Sequence, residues 1–483
     1  MATFTYLNVC LSAEMASSLG RNFLIVGVGR MLTQFIGLLL LPVYAAALDP
    51  GEFGLLDLVI TLGALLIPVF SLHVEMAAFR FLIDVRGDSP GTGAILRTVL
   101  RATALQSGLA GTAMYGAVFL LHPGMAGPVA AYVAAVIWSG ALLQVARGLG
   151  RNLLFAVGGI VCALLVLAGT ALALGPLGMG AEGAVWALAF GNAGAAVVLV
   201  FAIPEMGSVR VGRGSPSSLG AMLRYSLPLL PNSLSWWIVS GVDRLVIASA
   251  ISTSELGVYA FGARLAGLLS AVGTVYSLVW SEAASEKRAG DRSAYFREQY
   301  ASIAMLVGAG AASVICLLGA GIPLFAPAEY QGSMAIIPLL VLGSLFYTLA
   351  AFLGGIYVSE FRSGLAGLTS AFAAAAKLLL ALTLIPALGI IGAAVSTLVS
   401  YALLFVVRLL DTRRRHANMS LPPSVCWASV GAIGVATAIY HLGGVWANLM
   451  VAMLASAVCL WRFAALRKAG AAPTDGATGA AHE

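Results

Sequence analysis

Charged side chains occur inside several long apolar stretches of this sequence. The basic residues placed in this way are Arg30, Arg244, Arg264 and Lys377. Asp243 directly precedes Arg244 in the run SWWIVSGVDRLVI, and the run SLHVEMAAFRFL contains His73, Glu75 and Arg80. If these stretches cross a bilayer, each charge must pair or reach water, because a charge at mid-bilayer costs about 2.5–3.5 kcal/mol even on the mildest scale. These residues are therefore the candidates for ligand binding or ion coupling.

The sequence as a whole is typical of a membrane protein. Of its 483 residues, 60% are hydrophobic and 10% are charged, and the mean hydropathy is +0.97. An ordinary soluble domain has about 25% charged residues. A helix needs about 20 apolar residues to cross the hydrocarbon core. Recurring runs of that length predict an all-α polytopic protein with about fourteen transmembrane helices, including a second over 54–83, an eleventh over 364–385 and a twelfth over 389–410.

The connections between these helices differ in charge. All but four of the 26 Lys and Arg residues flank alternate connections, and the exceptions are the basic residues named above. The charged residues of the opposite connections are all acidic, namely Asp49, Glu52, Glu182, Glu255 and Glu329. The positive-inside rule then predicts that both termini are cytoplasmic. The net charge of +6 is thus a topology signal facing anionic lipid head groups, and a nucleic-acid partner is excluded.

Three further features limit the functional classes. The start MATFTYLNVCLSAEM has no basic segment before an apolar core, so no signal peptide is expected, and Met1 and Met15 are both candidate starts. The five cysteines lack metal-ligand spacing, and the sequence lacks the common catalytic motifs in a supporting context. No catalytic residue, metal or cofactor is therefore expected. The polar tail over 472–483 is predicted to be disordered.

Two pairs of segments predict an internal repeat. LDPGEFGLLDL at 48–58 resembles ISTSELGVYAF at 251–261, and LGMGAEGAVWAL at 177–188 resembles LGIIGAAVSTL at 388–398. Both pairs have a similar offset and the same order, so helices 1 to 6 (21–204) and 7 to 12 (225–410) are predicted to be parallel copies. Helices 13 and 14 (422–466) follow them. Two such lobes are expected to face a central cavity where a substrate binds.

The charged candidates form two layers when depth is counted at about 1.5 Å per residue. The inner layer contains Arg30, His73, Glu75 and Arg80, and the outer layer contains Asp243, Arg244, Arg264 and Lys377. Without His73, five basic residues face two acidic ones, which favours an anionic ligand. Arg suits phosphate because its planar fork binds two oxygens at once. We assign substrate binding to the set Arg30, Arg80, Arg264 and Lys377, and coupling or gating to the set Asp243, Glu75 and Arg244.

Some of these roles have structural alternatives. Neighbouring residues on a helix point about 100° apart, so Asp243 and Arg244 do not simply face each other. Asp243 is expected to pair with Lys377 or Arg264, either as a structural bridge or as a gate linked to H⁺ or Na⁺. Arg244 lies near the outer interface and could extend to water instead. Arg80 could equally be an anchor at the inner flank.

Two longer stretches resemble a known family. YSLPLLPNSLSWWIVSGVDRLVIASAISTSELGVYAFGARL and GRMLTQFIGLLLLPVYAAALDPGEFGLLDL resemble the polysaccharide and O-antigen flippases of the multidrug/oligosaccharidyl-lipid/polysaccharide exporter superfamily. The resemblance implies a V-shaped bundle of two six-helix lobes with alternating access. It also implies transport of undecaprenyl-diphosphate-linked oligosaccharide to the outer leaflet of a bacterial cytoplasmic membrane. The related lipid II flippases have cavity arginines on helices 1, 2 and 8, which are the helices that contain Arg30, Arg80 and Arg264 here.

The expected partners are the lipid-linked oligosaccharide, membrane lipids and, in the same process, a polysaccharide polymerase and glycosyltransferases. Two other functions remain open. One is an ion-coupled exporter of drugs or organic cations with the same fold, which the surplus of basic residues disfavours. The other is a membrane glycan polymerase or transferase, which the short outer connections disfavour because such an enzyme needs room for an active site outside the bilayer.

Overall fold

The computed structural model describes residues 25–208 apart from 28 and 30, and residues 216–286, 292–360, 362–415 and 422–470. These ranges contain helices and turns but no strand, which confirms the all-α fold. Ten helices within them are long and apolar enough to cross a bilayer, so the chain is a multi-pass membrane protein. The number of fourteen spans stays a prediction, and the tail over 472–483 lies outside the described residues.

The helices are numbered here in chain order. They are α1 (Ile25–Ala47), α2 (Pro50–Ser71), α3 (Val74–Asp84), α4 (Ser89–Leu121), α5 (Pro123–Gly148), α6 (Asn152–Leu174), α7 (Gly180–Ala202), α8 (Pro216–Ser226), α9 (Leu230–Ala250), α10 (Thr253–Glu286), α11 (Arg292–Phe325), α12 (Ile337–Ser359), α13 (Ser363–Arg415), α14 (Pro423–Leu442) and α15 (Val445–Gly470). Short 3₁₀ segments cover Pro204–Ser208, Leu227–Leu229 and Ala328–Ala335.

The second predicted span is broken into α2 and α3. Leu72 and His73, between these helices, both have left-handed backbone conformations, with φ of 49° and 54°. Such a conformation costs about 1–2 kcal/mol for a residue other than glycine. Polar groups stabilise the break: the His73 N–H donates to the Ser71 hydroxyl over 3.3 Å, and Gln106 of α4 donates to the Ser71 carbonyl over 2.8 Å. The sequence prediction of one continuous helix over 54–83 is therefore wrong.

Glycines allow sharp turns at matching points of the predicted repeat. Gly178, which precedes α7, has a φ of 57°, and Gly389, inside α13, has a φ of 64°. These two glycines are paired when LGMGAEG is aligned with LGIIGAA. At Gly389 the backbone leaves the helical conformation, so α13 consists of two arms that correspond to the predicted eleventh and twelfth helices.

The chain divides into two compact units, Met1–Ala260 and Phe261–Glu483. Part of the core of the first unit consists of small and aliphatic side chains from α3, α4, α5 and α7, including Ala78, Leu96 and Val145. Met222 of α8 also lies in this core and is fully buried. Helix α8 was not predicted from the sequence. Its 11 residues are too few to cross a bilayer, and the prediction rested on runs long enough to do so. The predicted boundary between lobes, at 204–225, stays a prediction.

The second unit has an aromatic core. Trp280 of α10 stacks on Phe352 of α12 with ring centroids 4.2 Å apart, and its indole N–H donates to the Phe352 carbonyl over 2.9 Å. Phe296 and Tyr300 of α11 pack around the same pair. Elsewhere α11 contacts α14 closely enough for the Ser429 hydroxyl to donate to the Ala304 carbonyl over 2.8 Å. Stacked rings with satisfied polar atoms hold these helices in fixed positions.

The first pair of repeated segments forms a close helix crossing in the first unit. A Cβ atom added to Gly54 of α2 would lie 1.9 Å from the Thr253 carbonyl oxygen, and one added to Gly257 of α10 would lie 1.8 Å from the Pro50 carbonyl oxygen. Small residues spaced by four let two helix backbones approach in membranes. The Gly residue shared by GEFG and SELG is thus required by this contact.

Candidate functional site

Arg244 and Asp57 form an ion pair between α9 and α2. The Nε of Arg244 donates to Oδ2 of Asp57 over 2.7 Å, and a terminal nitrogen of the same guanidinium donates to the Ser240 carbonyl over 2.7 Å. The side chain of Asp57 is only 5% exposed and that of Arg244 is 20% exposed. The charge of Arg244 is thus balanced inside the protein by an acid that the sequence analysis did not identify.

Asp243 belongs to the same group of charges. It is buried, and its Oδ2 accepts a hydrogen bond from the Tyr259 hydroxyl of α10 over 3.0 Å. The Tyr259 ring lies 6.0 Å from the Arg244 guanidinium carbon, and Arg244 interacts electrostatically with both acids. We call Asp57, Asp243, Arg244 and Tyr259 the aspartate cluster. Pairing of Asp243 with Lys377 or Arg264 stays a prediction.

Glu75 lies in a separate polar group at the break between α2 and α3. Its carboxylate is 2.8 Å from Nδ1 of His73, and Nε2 of His73 is 2.7 Å from the Ser233 hydroxyl of α9. Both side chains are mostly buried, with 13% exposure for His73 and 20% for Glu75. The sequence placed the two residues in one layer but gave no sign that α9 would contact them.

Arg80 points away from this group. It pairs with Asp84, one turn along α3, and the side chains are 47% and 60% exposed. The spacing of five residues between Glu75 and Arg80 is too wide for an ideal helical pair, and the structure pairs each of them with a different residue. Arg80 is thus accessible at the end of α3.

Lys377 is buried between the two arms of α13. Its ammonium group donates to the Ser396 hydroxyl over 2.9 Å and to the Thr397 hydroxyl over 2.5 Å. Both hydroxyls in turn donate to the Ala393 carbonyl. Because Lys377 precedes Gly389 and its partners follow it, these bonds show that the second arm of α13 folds back along the first.

Arg408 is a second buried cation that the sequence analysis placed among the inner-flank residues. Its guanidinium donates to the Ala350 carbonyl of α12 over 2.7 Å, to the Ala366 carbonyl, and to the hydroxyls of Thr369 and Ser370 at 3.1 and 3.0 Å. The residue is 6% exposed. Gly354 permits this approach, since a Cβ there would meet the guanidinium at 2.7 Å. Arg408 thus links α12 to both arms of α13.

The remaining predicted site residues are less closely defined. Arg264 is half-buried on α10, and Arg30 lies outside the described residues. Of the predicted candidates, the structure joins Asp243 with Arg244 and Glu75 with His73. Convergence of Arg30, Arg80, Arg264 and Lys377 on one cavity stays a prediction. Within the described ranges, no three His, Cys, Asp or Glu side chains are close enough together to hold a metal ion.

Comparison with known families identifies the group to which this arrangement belongs. A sequence model described as polysaccharide biosynthesis protein matches residues 19–281, which is more than half of the chain. The chain belongs to this polysaccharide biosynthesis protein family. The match includes the aspartate cluster and the break at His73, so both polar groups lie in the part of the chain that the family model matches. A search of curated proteins finds no match.

Solved structures show the same fold. A lipid II flippase, MurJ, in an inward closed conformation superposes with a TM-score of 0.71 at 12% identity, over 92% of this chain and 99% of that one. An inward-facing multidrug resistance MATE family transporter of the MOP superfamily gives 0.67 at 14% identity, over 80% of this chain and 95% of that one. A MOP superfamily transporter from Pyrococcus furiosus, whose binding pocket is described as having reverse polarity, gives a TM-score of 0.56 at 13% identity. The superposition covers 83% of this chain and 96% of that one. This member of the polysaccharide biosynthesis protein family therefore has a transporter fold.

Proposed function

We propose that this protein is a flippase that moves polyprenyl-diphosphate-linked oligosaccharide from the cytoplasmic to the outer leaflet of a bacterial cytoplasmic membrane. The observation that carries the proposal is membership of the polysaccharide biosynthesis protein family over residues 19–281. The fold shared with a lipid II flippase supports it. Both termini are cytoplasmic in this proposal, and a polymerase and glycosyltransferases act before and after transport.

The charges on the membrane helices suit this cargo. A diphosphate carries negative charge that arginine and lysine can bind, and a cation at membrane depth is costly and is retained for a role. In this proposal the half-buried Arg264 contacts the diphosphate while the polyprenyl chain remains in lipid. Arg80, which is accessible at the end of α3, meets the head group on the cytoplasmic side.

A reconstituted transport assay tests the proposal. Purified protein in liposomes is supplied with a fluorescent polyprenyl-diphosphate oligosaccharide, and an impermeant reductant quenches the label in the outer leaflet. Flipping increases the fraction of label that can be quenched, relative to protein-free liposomes. The matched polyprenyl monophosphate should move more slowly, because it offers fewer oxygens to the cationic residues.

Two arginine variants make the assay residue-specific. Arg264→Gln is expected to lower the rate by at least about tenfold, the equivalent of 1.4 kcal/mol in the transport barrier. Arg362→Gln is the matched control, because Arg362 is 49% exposed in the connection before α13. Equal rates in wild type and Arg264→Gln would remove this residue from the substrate site.

The multidrug exporter is the second candidate function, because a MATE transporter shares the fold at a TM-score of 0.67. The same liposomes loaded with an organic cation distinguish the two. Cation export driven by an H⁺ or Na⁺ gradient, with no movement of the lipid-linked sugar, would establish the exporter and reject the flippase. Elongation or transfer of the sugar by the purified protein would instead indicate a glycan polymerase or transferase.

A further inference from the structure

The break between α2 and α3 contains a complete hydrogen-bonded chain that no part of the proposed substrate site uses. It runs from the Glu75 carboxylate through both nitrogens of the His73 ring to the Ser233 hydroxyl, with distances of 2.8 and 2.7 Å. The Ser233 hydroxyl has a second partner in the Leu229 carbonyl of its own helix, at 3.4 Å. The imidazole of His73 therefore connects two helices, α3 and α9.

We propose that His73, Glu75 and Ser233 form a proton-binding site, and that proton binding there strengthens the contact between this break and α9. The proposal deepens the proposed transport function and rests on it, since it names a proton as the ion linked to the transport cycle. Imidazole is the side chain whose ordinary charge change falls between about pH 5 and 8.

The chain accepts a proton without losing a hydrogen bond. With neutral His73, the Nδ1–H donates to Glu75 and Nε2 accepts from the Ser233 hydroxyl. With protonated His73, the Nε2–H donates to the Ser233 oxygen, and the hydroxyl hydrogen turns to the Leu229 carbonyl. The contact with α9 then becomes a charge-assisted hydrogen bond, which is about twice as strong as a neutral one.

The groups around the ring favour a proton over other ligands. The His73 ring is hydrogen-bonded to one ionisable side chain, Glu75, while α9 supplies the Ser233 hydroxyl and α4 supplies the Gln106 amide to the Ser71 carbonyl. Arg80 and Asp84 lie further along α3 and pair with each other. Both ring nitrogens already have hydrogen-bond partners, so neither has a free lone pair for a metal ion.

The backbone at this point supplies an independent reason to expect a function. Leu72 and His73 occupy left-handed conformations inside a predicted transmembrane span. Strain of this kind persists where the surroundings determine the conformation, and it is concentrated at functional sites and switches. One turn further along α9, the Trp237 indole N–H donates to the Thr61 carbonyl of α2 over 2.8 Å. Ser233 and Trp237 thus lie on one face of α9, and this face contacts both α2 and the break.

A direct titration tests the proton site without any substrate. Protein labelled with ¹⁵N-histidine in lipid bilayers is measured by NMR between pH 5 and 8, and His73→Gln identifies the signals of this residue among the five histidines of the chain. Titration of both ring nitrogens in this range supports the site. A ring that stays in one protonation state throughout would overturn the proposal.

The transport assay tests whether proton binding at His73 is linked to flipping. The rate of wild-type flipping is expected to vary with pH by up to about tenfold per unit, the limit for one proton. His73→Gln and His73→Asn should remove this dependence while flipping continues; Asn is included because it tolerates the left-handed backbone better. The control is His122→Gln, an exposed histidine before α5.

The outcomes separate this proposal from the flippase proposal. A titrating His73 with pH-independent flipping would reject the linkage and leave the flippase intact. Absence of flipping at every pH would reject the flippase, while the NMR titration would still decide whether the proton site exists.

The order Ser, His, carboxylate also occurs in hydrolases, where the hydroxyl is a nucleophile. Covalent labelling of Ser233 by a fluorophosphonate would therefore overturn the assignment in favour of a nucleophilic site.

Discussion

Arg244 in the first unit and Arg408 in the second are both held inside the protein, but by different chemistry. Arg244 is paired with the carboxylate of Asp57 at 2.7 Å. Arg408 donates to two main-chain carbonyls and two hydroxyls, all of them neutral. The first unit thus neutralises its buried guanidinium, whereas the second solvates it with dipoles.

This difference determines which groups lose a partner when each arginine is replaced. Loss of Arg244 leaves Asp57 buried and charged, which is costly because the desolvation of an ion is then uncompensated. The acceptors of Arg408 keep other partners, since the Thr369 and Ser370 hydroxyls donate to the Leu365 and Ala366 carbonyls. The ion pair therefore makes the first unit the more sensitive to a single charge change.

Asp57→Asn is expected to have the largest effect. It removes the carboxylate that is hydrogen-bonded to the Arg244 guanidinium and should lower the free energy of unfolding by about 3–5 kcal/mol. Thermal unfolding in detergent measures the change. The double variant with Arg244→Met should recover much of the loss, and Asp49→Asn, at the exposed cap of α2 where Asn also caps, should have little effect. A double variant less stable than Asp57→Asn alone would contradict the ion-pair interpretation.

Tyr259→Phe tests the other acid of the aspartate cluster. It removes the hydroxyl that donates to Asp243 over 3.0 Å, and the expected loss is about 1.5–3 kcal/mol because the acceptor is a buried carboxylate. The same unfolding assay applies. Tyr115→Phe is the matched control, since Tyr115 is 49% exposed. Equal stability of the two variants would show that Asp243 does not depend on Tyr259.

Arg408→Met should be tolerated better than Arg244→Met. It removes a buried charge that has only neutral partners, and the long apolar side chain fills a similar volume, so the expected change is within about 1 kcal/mol. Arg244→Met in the same background should cost about 3–5 kcal/mol because Asp57 remains. Similar losses in both variants would show that neutral acceptors and a carboxylate are energetically equivalent here.

Glu205→Gln removes a partly exposed ion pair and should have the smallest effect on stability. Burial alone would raise the pKa of Glu205, but hydrogen bonds and charge from Arg151, with a main-chain N–H, together hold it below its usual value. A lowered carboxyl pKa adds stability above the unfolded pKa, near pH 4.3, and this is lost as pH falls. The free energy of unfolding of the wild type should exceed that of the variant by at most about 1 kcal/mol at pH 7, because the ion pair is partly exposed. The difference should vanish in acid; a constant difference would exclude titration of Glu205 as its cause.

The sequence predicted the helical membrane fold because long apolar runs require it, and it selected Lys377 and Asp243 because isolated charges in such runs need partners. It missed Asp57, which lies inside the repeated segment LDPGEFGLLDL and was not singled out as a charge. A search for an acid at the same outer depth as Arg244 would have found it. Arg408 was missed because it precedes the run of arginines at 413–415 and was counted with them. Nothing local in SLHV, which has neither Gly nor Pro, signalled the break at His73, because tertiary hydrogen bonds stabilise that break.

The crossing of α2 and α10 has reciprocal contacts. Gly54 approaches the Thr253 carbonyl and Gly257 approaches the Pro50 carbonyl, and Thr253 is the residue aligned with Pro50 in the predicted repeat. Contacts related in this way also occur between identical subunits around a two-fold axis. The two glycines therefore constrain each other: neither can be exchanged for a larger residue while the other backbone stays in place.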